Sequence, residues 1–166
     1  FLVGSTNRAA LTSSPPGFAK TAFLQVLAEM QGYKYYRFIP SLHLPEDLSG
    51  IPVKNLEKMF VEMMPMEFVA ACQEPNWCFF FDELNVGKQD MRPPMLSLLQ
   101  EGEIGSIKWH HTTQRFAACN PEVWAPQASD LEASLCNRMF HCEWEFPMES
   151  YRQGLKNGLE WTAEMV

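Results

Sequence analysis

"SSPPGFAKT", residues Ser13 to Thr21, is the stretch on which the reading of this chain turns. A loop that wraps nucleotide phosphates is written G-x-x-x-x-G-K-[ST]. With Lys20 in the lysine position, Ser14 stands where the first glycine belongs and Ala19 where the second does, and Gly17 is the glycine left inside the loop. Taken alone, the stretch also reads as a Pro-Pro-Gly turn that leads into a helix. The residues around it separate the two readings.

A phosphate loop must open a helix, so that free backbone N–H groups and the positive helix end face the anion. "TAFLQVLAEMQ" follows Lys20, with Phe23, Val26, Leu27 and Met30 at helical spacing and no interior Gly or Pro, and it ends at Gly32. In that setting Lys20 serves the β and γ phosphates and Thr21 takes a place on Mg²⁺. Ser14 and Ala19 are the smallest substitutes for glycine, so backbone can still approach a phosphate, although any position that needs a positive φ is strained.

The second element is "WCFFF", Trp77 to Phe81, which runs into "DELN". A continuous apolar strand is typical of a sheet covered on both faces. Its carboxyl end delivers Asp82 to the side of the sheet where ligands bind in open α/β folds. Nucleotide hydrolysis needs a carboxylate to hold the metal and a second group to polarise water; Asp82 suits the first role and Glu83 the second. The alternative is a strand that ends in two solvated acids. Asn120, at the end of "RFAAC", can hydrogen-bond the attacking water or the γ phosphate without adding charge, or serve as an ordinary turn residue before Pro121. Arg138 lies between a capped helix and the last strand, placed to reach the γ phosphate of a neighbouring subunit as an arginine finger, or to serve as a surface arginine.

Elsewhere, "YYRFIP" reads as a short strand closed by Pro40, and "SLHLPEDLSGIPV" as a loop with one helical turn. Leu56, Met59, Phe60, Met63 and Met64 repeat at helical spacing up to Pro65, a methionine stripe expected to be core. Met91, Met95, Leu98 and Leu99 mark another helix, and "QEGEIGSIKWHH" a hairpin flanked by glycines. Trp109, His110 and His111 there are either contact residues or a hairpin strand with one packed aromatic. "SDLEASLCNR" is a helix with Ser129 as N-cap and Glu132 three residues on, and "MFHCEWEFP" a strand stopped by Pro147. Strands alternating with helices predict an α/β sheet.

Composition sets the bounds. The 166 residues suit one domain, with 46% hydrophobic and 20% charged residues. A formal charge of −7 argues against a general basic surface for nucleic acid, yet a few amides, one lysine and Mg²⁺ can hold a phosphate on an acidic protein. Cys72, Cys78, Cys119, Cys136 and Cys142 form an odd set without C-x-x-C spacing; they read as reduced and mostly buried, which points to the cytoplasm. Cys136, His141 and Cys142 read as packing residues and not as metal ligands. No apolar run approaches the roughly twenty residues of a membrane span, and no secretion signal is expected. A chain that begins at Phe1 is expected to lack flanking residues.

In their order, "SPPGFAKT", "FFFDELN", "LLQEGEIG", "AACNP" and "LCNRMFH" resemble the AAA+ ATPases, most closely the MoxR-like group, over nearly the whole chain. That group's loop often has alanine before the lysine, so Ser14 is the main departure. The resemblance implies a P-loop NTPase core in residues 1–148: a three-layer α/β sandwich with a mostly parallel five-stranded sheet. It implies a homo-oligomeric ring, usually a hexamer, that binds ATP and Mg²⁺ at each interface, works as a chaperone-like remodelling ATPase, and can pair with a protein carrying a von Willebrand factor A domain. Ser14, Pro15, Pro16, Gly17, Phe18, Ala19, Lys20 and Thr21 would form Walker A, Asp82 and Glu83 Walker B, Asn120 the first sensor and Arg138 the finger, with Thr21 and Asp82 toward the metal. Residues 149–166 are expected to form the start of a helical lid or a C-terminal helix, at most the first lid helix, so the lid is expected to be largely absent, and Arg152 lies too near the core to be assigned as the second sensor.

The first strand has two readings, Ala9 to Thr12 or "FLVG" at Phe1 to Gly4 with residues lost after it. Both this and the short lid bear on activity in isolation. The other function classes are a catalytically weak subunit that lends Arg138 to a neighbour, and a P-loop enzyme that transfers phosphate to a small acceptor, in which Asn120 and Arg138 have no clear use.

Overall fold

The apolar run Trp77–Phe81 is an interior strand of a sheet, paired on both sides, and its alternate residues go to opposite faces. A computed structural model describes residues 8–57, 59–121, 137–143, 149 and 152–153. Strand β1 is Ala10–Ser13, next to the loop, in line with the reading of Ala9 to Thr12 as a strand. Helix α1 is Lys20–Met30 and strand β2 Lys34–Phe38. A 3₁₀ turn at Pro40–Leu42 leads to helix α2, Pro45–Ser49. Strands β3 (Ile51–Asn55) and β4 (Phe60–Met64) precede helix α3, Glu67–Ala71. Strand β5 is Trp77–Phe81, and helix α4 is Arg92–Gln100. Strands β6 (Glu103–Ile104) and β7 (Ile107–Lys108) form the small hairpin that its glycines predict; β8 is Gln114–Cys119 and β9 Phe140–Glu143.

The main sheet has the order β2-β5-β8-β1-β9, and every pairing in it is parallel. Both faces are covered. Phe79, Phe81, Ala117, Cys119 and Leu11 pack against Val69 of α3 and Leu98 and Leu99 of α4. Their strand neighbours Phe80, Cys78, Phe116, Ala118 and Ala10 pack against Leu24 and Ala28 of α1. Period-2 geometry therefore divides a continuous apolar strand between two cores, and this makes the three-layer α/β architecture. Each fully buried phenylalanine of β5 contributes on the order of 1.5–3 kcal/mol of apolar burial.

The helix expected from Leu56 to Met64 is instead the antiparallel ribbon β3–β4, with Ile51 opposite Met64 and Asn55 opposite Phe60. Its methionines are not core: Met59 is 87% exposed and Met64 61%. A short apolar run satisfies both periodicities, and here Gly50 decides between them. At φ +93 it lies so close to the Met64–Pro65 backbone that an added Cβ would stand 2.7 Å from the Met64 carbonyl carbon, so the chain folds back on itself there. Trp109 is the packed aromatic of its hairpin, buried against Phe79 with its indole N–H donating to Val69 O at 2.8 Å. The helix with Ser129 as N-cap, the alternative first strand at Phe1 to Gly4, Cys136 and most of residues 149–166 lie outside the described residues.

Candidate functional site

The register of the sheet builds the site. β1 and β8 pair Ser13 with Cys119, so the next residues, Ser14 and Asn120, leave the sheet side by side. β5 and β8 pair Phe81 with Ala117, which brings Asp82 out at the same carboxyl edge. The loop from Ser14 to Ala19 crosses this edge and opens α1.

Lys20 is only 8% exposed and turns back under the loop. Its Nζ donates to Ser14 O at 2.8 Å, Ser14 Oγ at 2.9 Å and Asn120 Oδ1 at 2.9 Å, with longer contacts of 3.5 Å to the carbonyls of Pro15 and Cys119. Burial pushes the ammonium below its usual range, while Cys119, Asp82 and Glu83 pull it back up. At the next residue, the Thr21 hydroxyl donates to Asp82 Oδ2 at 2.8 Å. Asp82 is 5% exposed, and its Oδ1 accepts the Glu83 N–H at 3.0 Å.

The loop's backbone bears the cost of its substituted glycines. Gly17 has φ +82 and Ala19 φ +54, both left-handed. An L-residue held there costs roughly 1–2 kcal/mol, so the strain expected of a substituted glycine falls on Ala19. Ala19 is also the N-cap of α1 and makes no side-chain capping bond, and the first turn contains no acidic residue. The orphan N–H groups of that turn are thus left for an anion. Pro16, Gly17 and Ala19 are exposed, Pro15 and Phe18 half-buried. Glu83 is also left-handed at φ +54, the kind of backbone strain that collects at working sites.

Two residues that sequence reading passed over complete the cluster. Arg37, near the end of β2, donates through Nε and Nη2 to the same Asp82 Oδ2, each at 2.8 Å. Asn85, in the 3₁₀ turn Leu84–Val86, donates to Asn120 O at 2.7 Å and accepts the Asn120 N–H at 3.4 Å. The signals were present in "YYRF" and "DELN", but no local rule pairs either residue with its partner. Arg138 stands apart from the cluster: it is exposed and donates to Oε1 of Gln100, the last residue of α4.

The residues suit Mg²⁺ and a polyphosphate. Thr21 and Asp82 offer hard oxygens to a cation that keeps most of its waters and binds through one or two carboxylates plus phosphate. Among the described residues no group of three His, Cys, Asp or Glu side chains gathers as an all-protein metal cage. Lys20 lies under the loop beside the α1 terminus, which has no side-chain cap. No helix among the described residues is long and apolar enough to cross a membrane.

No family model and no curated protein matches the chain. A solved structure described as "a putative ATPase from Cytophaga hutchinsonii" superposes with a TM-score of 0.64 at 20% sequence identity, over 96% of this chain and 48% of that one. The likeness is one of fold. It accords with the parallel five-stranded sheet covered by helices on both faces. The chain spans about half the length of that structure.

Proposed function

We propose that this chain is the nucleotide-binding core of a MoxR-like AAA+ ATPase, which binds Mg²⁺-ATP and hydrolyses it to drive chaperone-like remodelling. The observation that carries the reading is the convergence of Lys20, Asn120, Thr21 and Asp82 on one edge of a parallel sheet, around a loop that opens a helix. Ser14 to Thr21 would cradle the phosphates, and Thr21 with Asp82 would hold Mg²⁺. The bound cation would supply charge neutralisation on the phosphates. Glu83 orients and polarises the attacking water, and Asn120, already steered by Lys20 and Asn85, holds it from the other side. Arg138, exposed beyond α4, would act on the site of an adjacent subunit in a homo-oligomeric ring, usually a hexamer. A protein with a von Willebrand factor A domain is a further expected partner. The buried thiols Cys72, Cys78 and Cys119 support a reducing, cytoplasmic setting.

One observation favours a second reading, that of a catalytically weak subunit. Ser14 contributes an Oγ that binds the Lys20 ammonium, a contact no glycine at that position offers, so a phosphate must compete for the lysine.

Calorimetry with Mg²⁺-ATP, with Lys20→Ala as control, tests the binding site. Binding lost in the variant supports a working loop; no binding by the unmutated chain rejects the proposal. Turnover with Glu83→Gln then separates the readings: an ATPase loses hydrolysis and retains ATP, whereas a weak subunit shows no change.

A further inference from the structure

Asp82 Oδ2 is overloaded. It accepts the Thr21 hydroxyl, Arg37 Nε and Arg37 Nη2, all at 2.8 Å, while Oδ1 takes the Glu83 N–H. An arginine that pairs well with a carboxylate lays its two N–H groups on two oxygens, fork to fork. Here both nitrogens converge on a single oxygen, an arrangement weaker than the fork allows. The register explains why the guanidinium arrives at all: Arg37 pairs with Phe80 across β2 and β5, which puts its side chain on the face shared by Asp82 and α1.

We propose that Arg37 is a displaceable counter-ion that occupies the metal-binding carboxylate and is driven off when Mg²⁺ enters with the nucleotide. The inference rests on the nucleotide-binding reading. A buried carboxylate requires a compensating charge, and Arg37 supplies it from the edge strand. Of the three donors on Oδ2, the Thr21 hydroxyl can stay, because it gives its proton to Asp82 and keeps lone pairs for a cation. The guanidinium cannot stay, since a second positive charge on the same oxygen repels the metal. Its exit is open: the Arg37 side chain is 43% exposed, against 7% for Asp82, so it can leave without unpacking the core. Arg37 is thus a positioning residue that sets how much Mg²⁺ the site requires.

The test is the free Mg²⁺ concentration at which ATP affinity, measured by calorimetry, rises halfway to its plateau. Arg37→Ala is expected to lower this midpoint about five- to tenfold, the worth of a partly exposed charged contact, with a smaller change in affinity for Mg²⁺-free ATP. Arg37→Lys, which keeps the charge, is expected to restore most of the wild-type midpoint and serves if the alanine variant does not fold. An unchanged or raised midpoint in Arg37→Ala, with wild-type protein that binds Mg²⁺-ATP, overturns this inference and leaves the nucleotide site standing. Wild-type protein that binds no ATP with or without Mg²⁺ overturns both.

Discussion

The Thr21 hydroxyl and the Asp82 carboxylate, 61 residues apart in the chain, meet at 2.8 Å and join the first turn of α1 to the end of β5. The bond fixes the two oxygens that the proposal assigns to Mg²⁺ next to each other. Thr21→Val preserves the shape and removes the hydroxyl. It is expected to abolish most of the Mg²⁺-dependent gain in ATP affinity and to leave Mg²⁺-free binding near the wild-type level, as read by calorimetry with and without a chelator. The stability cost, about 1 kcal/mol for one hydrogen bond, is checked by urea denaturation.

Asn85 clamps the backbone of Asn120 with both ends of its side-chain amide, the NH₂ donating and the C=O accepting. Asn85→Ala leaves that N–H and C=O without the clamp, at a cost of about 1–2 kcal/mol. The side chain of Asn120 then loses its aim, so kcat is expected to fall by about tenfold or more while KM for ATP changes little. Steady-state turnover distinguishes this from a purely structural loss, which would reduce the active fraction without changing kcat per folded molecule.

Ala19 sits at φ +54, where glycine belongs. Ala19→Gly relieves left-handed strain of roughly 1–2 kcal/mol and loses roughly 0.5–1 kcal/mol to the greater freedom of the unfolded chain. A net gain of about 0.5 kcal/mol is expected, measured as a higher urea midpoint with an unchanged slope. A loss of stability would show that the Ala19 side chain contributes more than its backbone costs.

Burial pushes the Cys72 and Cys78 thiols from an ordinary 9.0 up to about 12. Below pH 9 the thiols are neutral in both states and their contribution to stability is fully present. Between 9 and 12 the unfolded thiols ionise while the folded ones retain their protons, so stability falls as pH rises through that window. The lowered Lys20 acts in the opposite sense, because the unfolded lysine binds its proton more tightly. Two thiols are expected to outweigh one lysine, giving lower urea midpoints at pH 10.5 than at pH 8.5. Replacing Cys78 by alanine is expected to flatten the decline.

Part of this architecture follows from local chemistry along the chain. The run Trp77–Phe81 is apolar at every position, so it had to be a doubly covered strand, and Asp82 had to emerge at its end. "PPGFAKT" before a helical period had to place Lys20 and Thr21 at an open helix terminus. Features that depend on which strand lies beside which come from packing between remote segments. Leu56 to Met64 fits a helix or a ribbon equally well by pattern, and the close backbone approach at Gly50 made it a ribbon with its methionines exposed. Arg37 and Asn85 carried no local sign of their partners. Their roles come from the β2–β5 register and from the 3₁₀ turn after β5, and distances set by pairing between remote segments are absent from any one stretch of the chain.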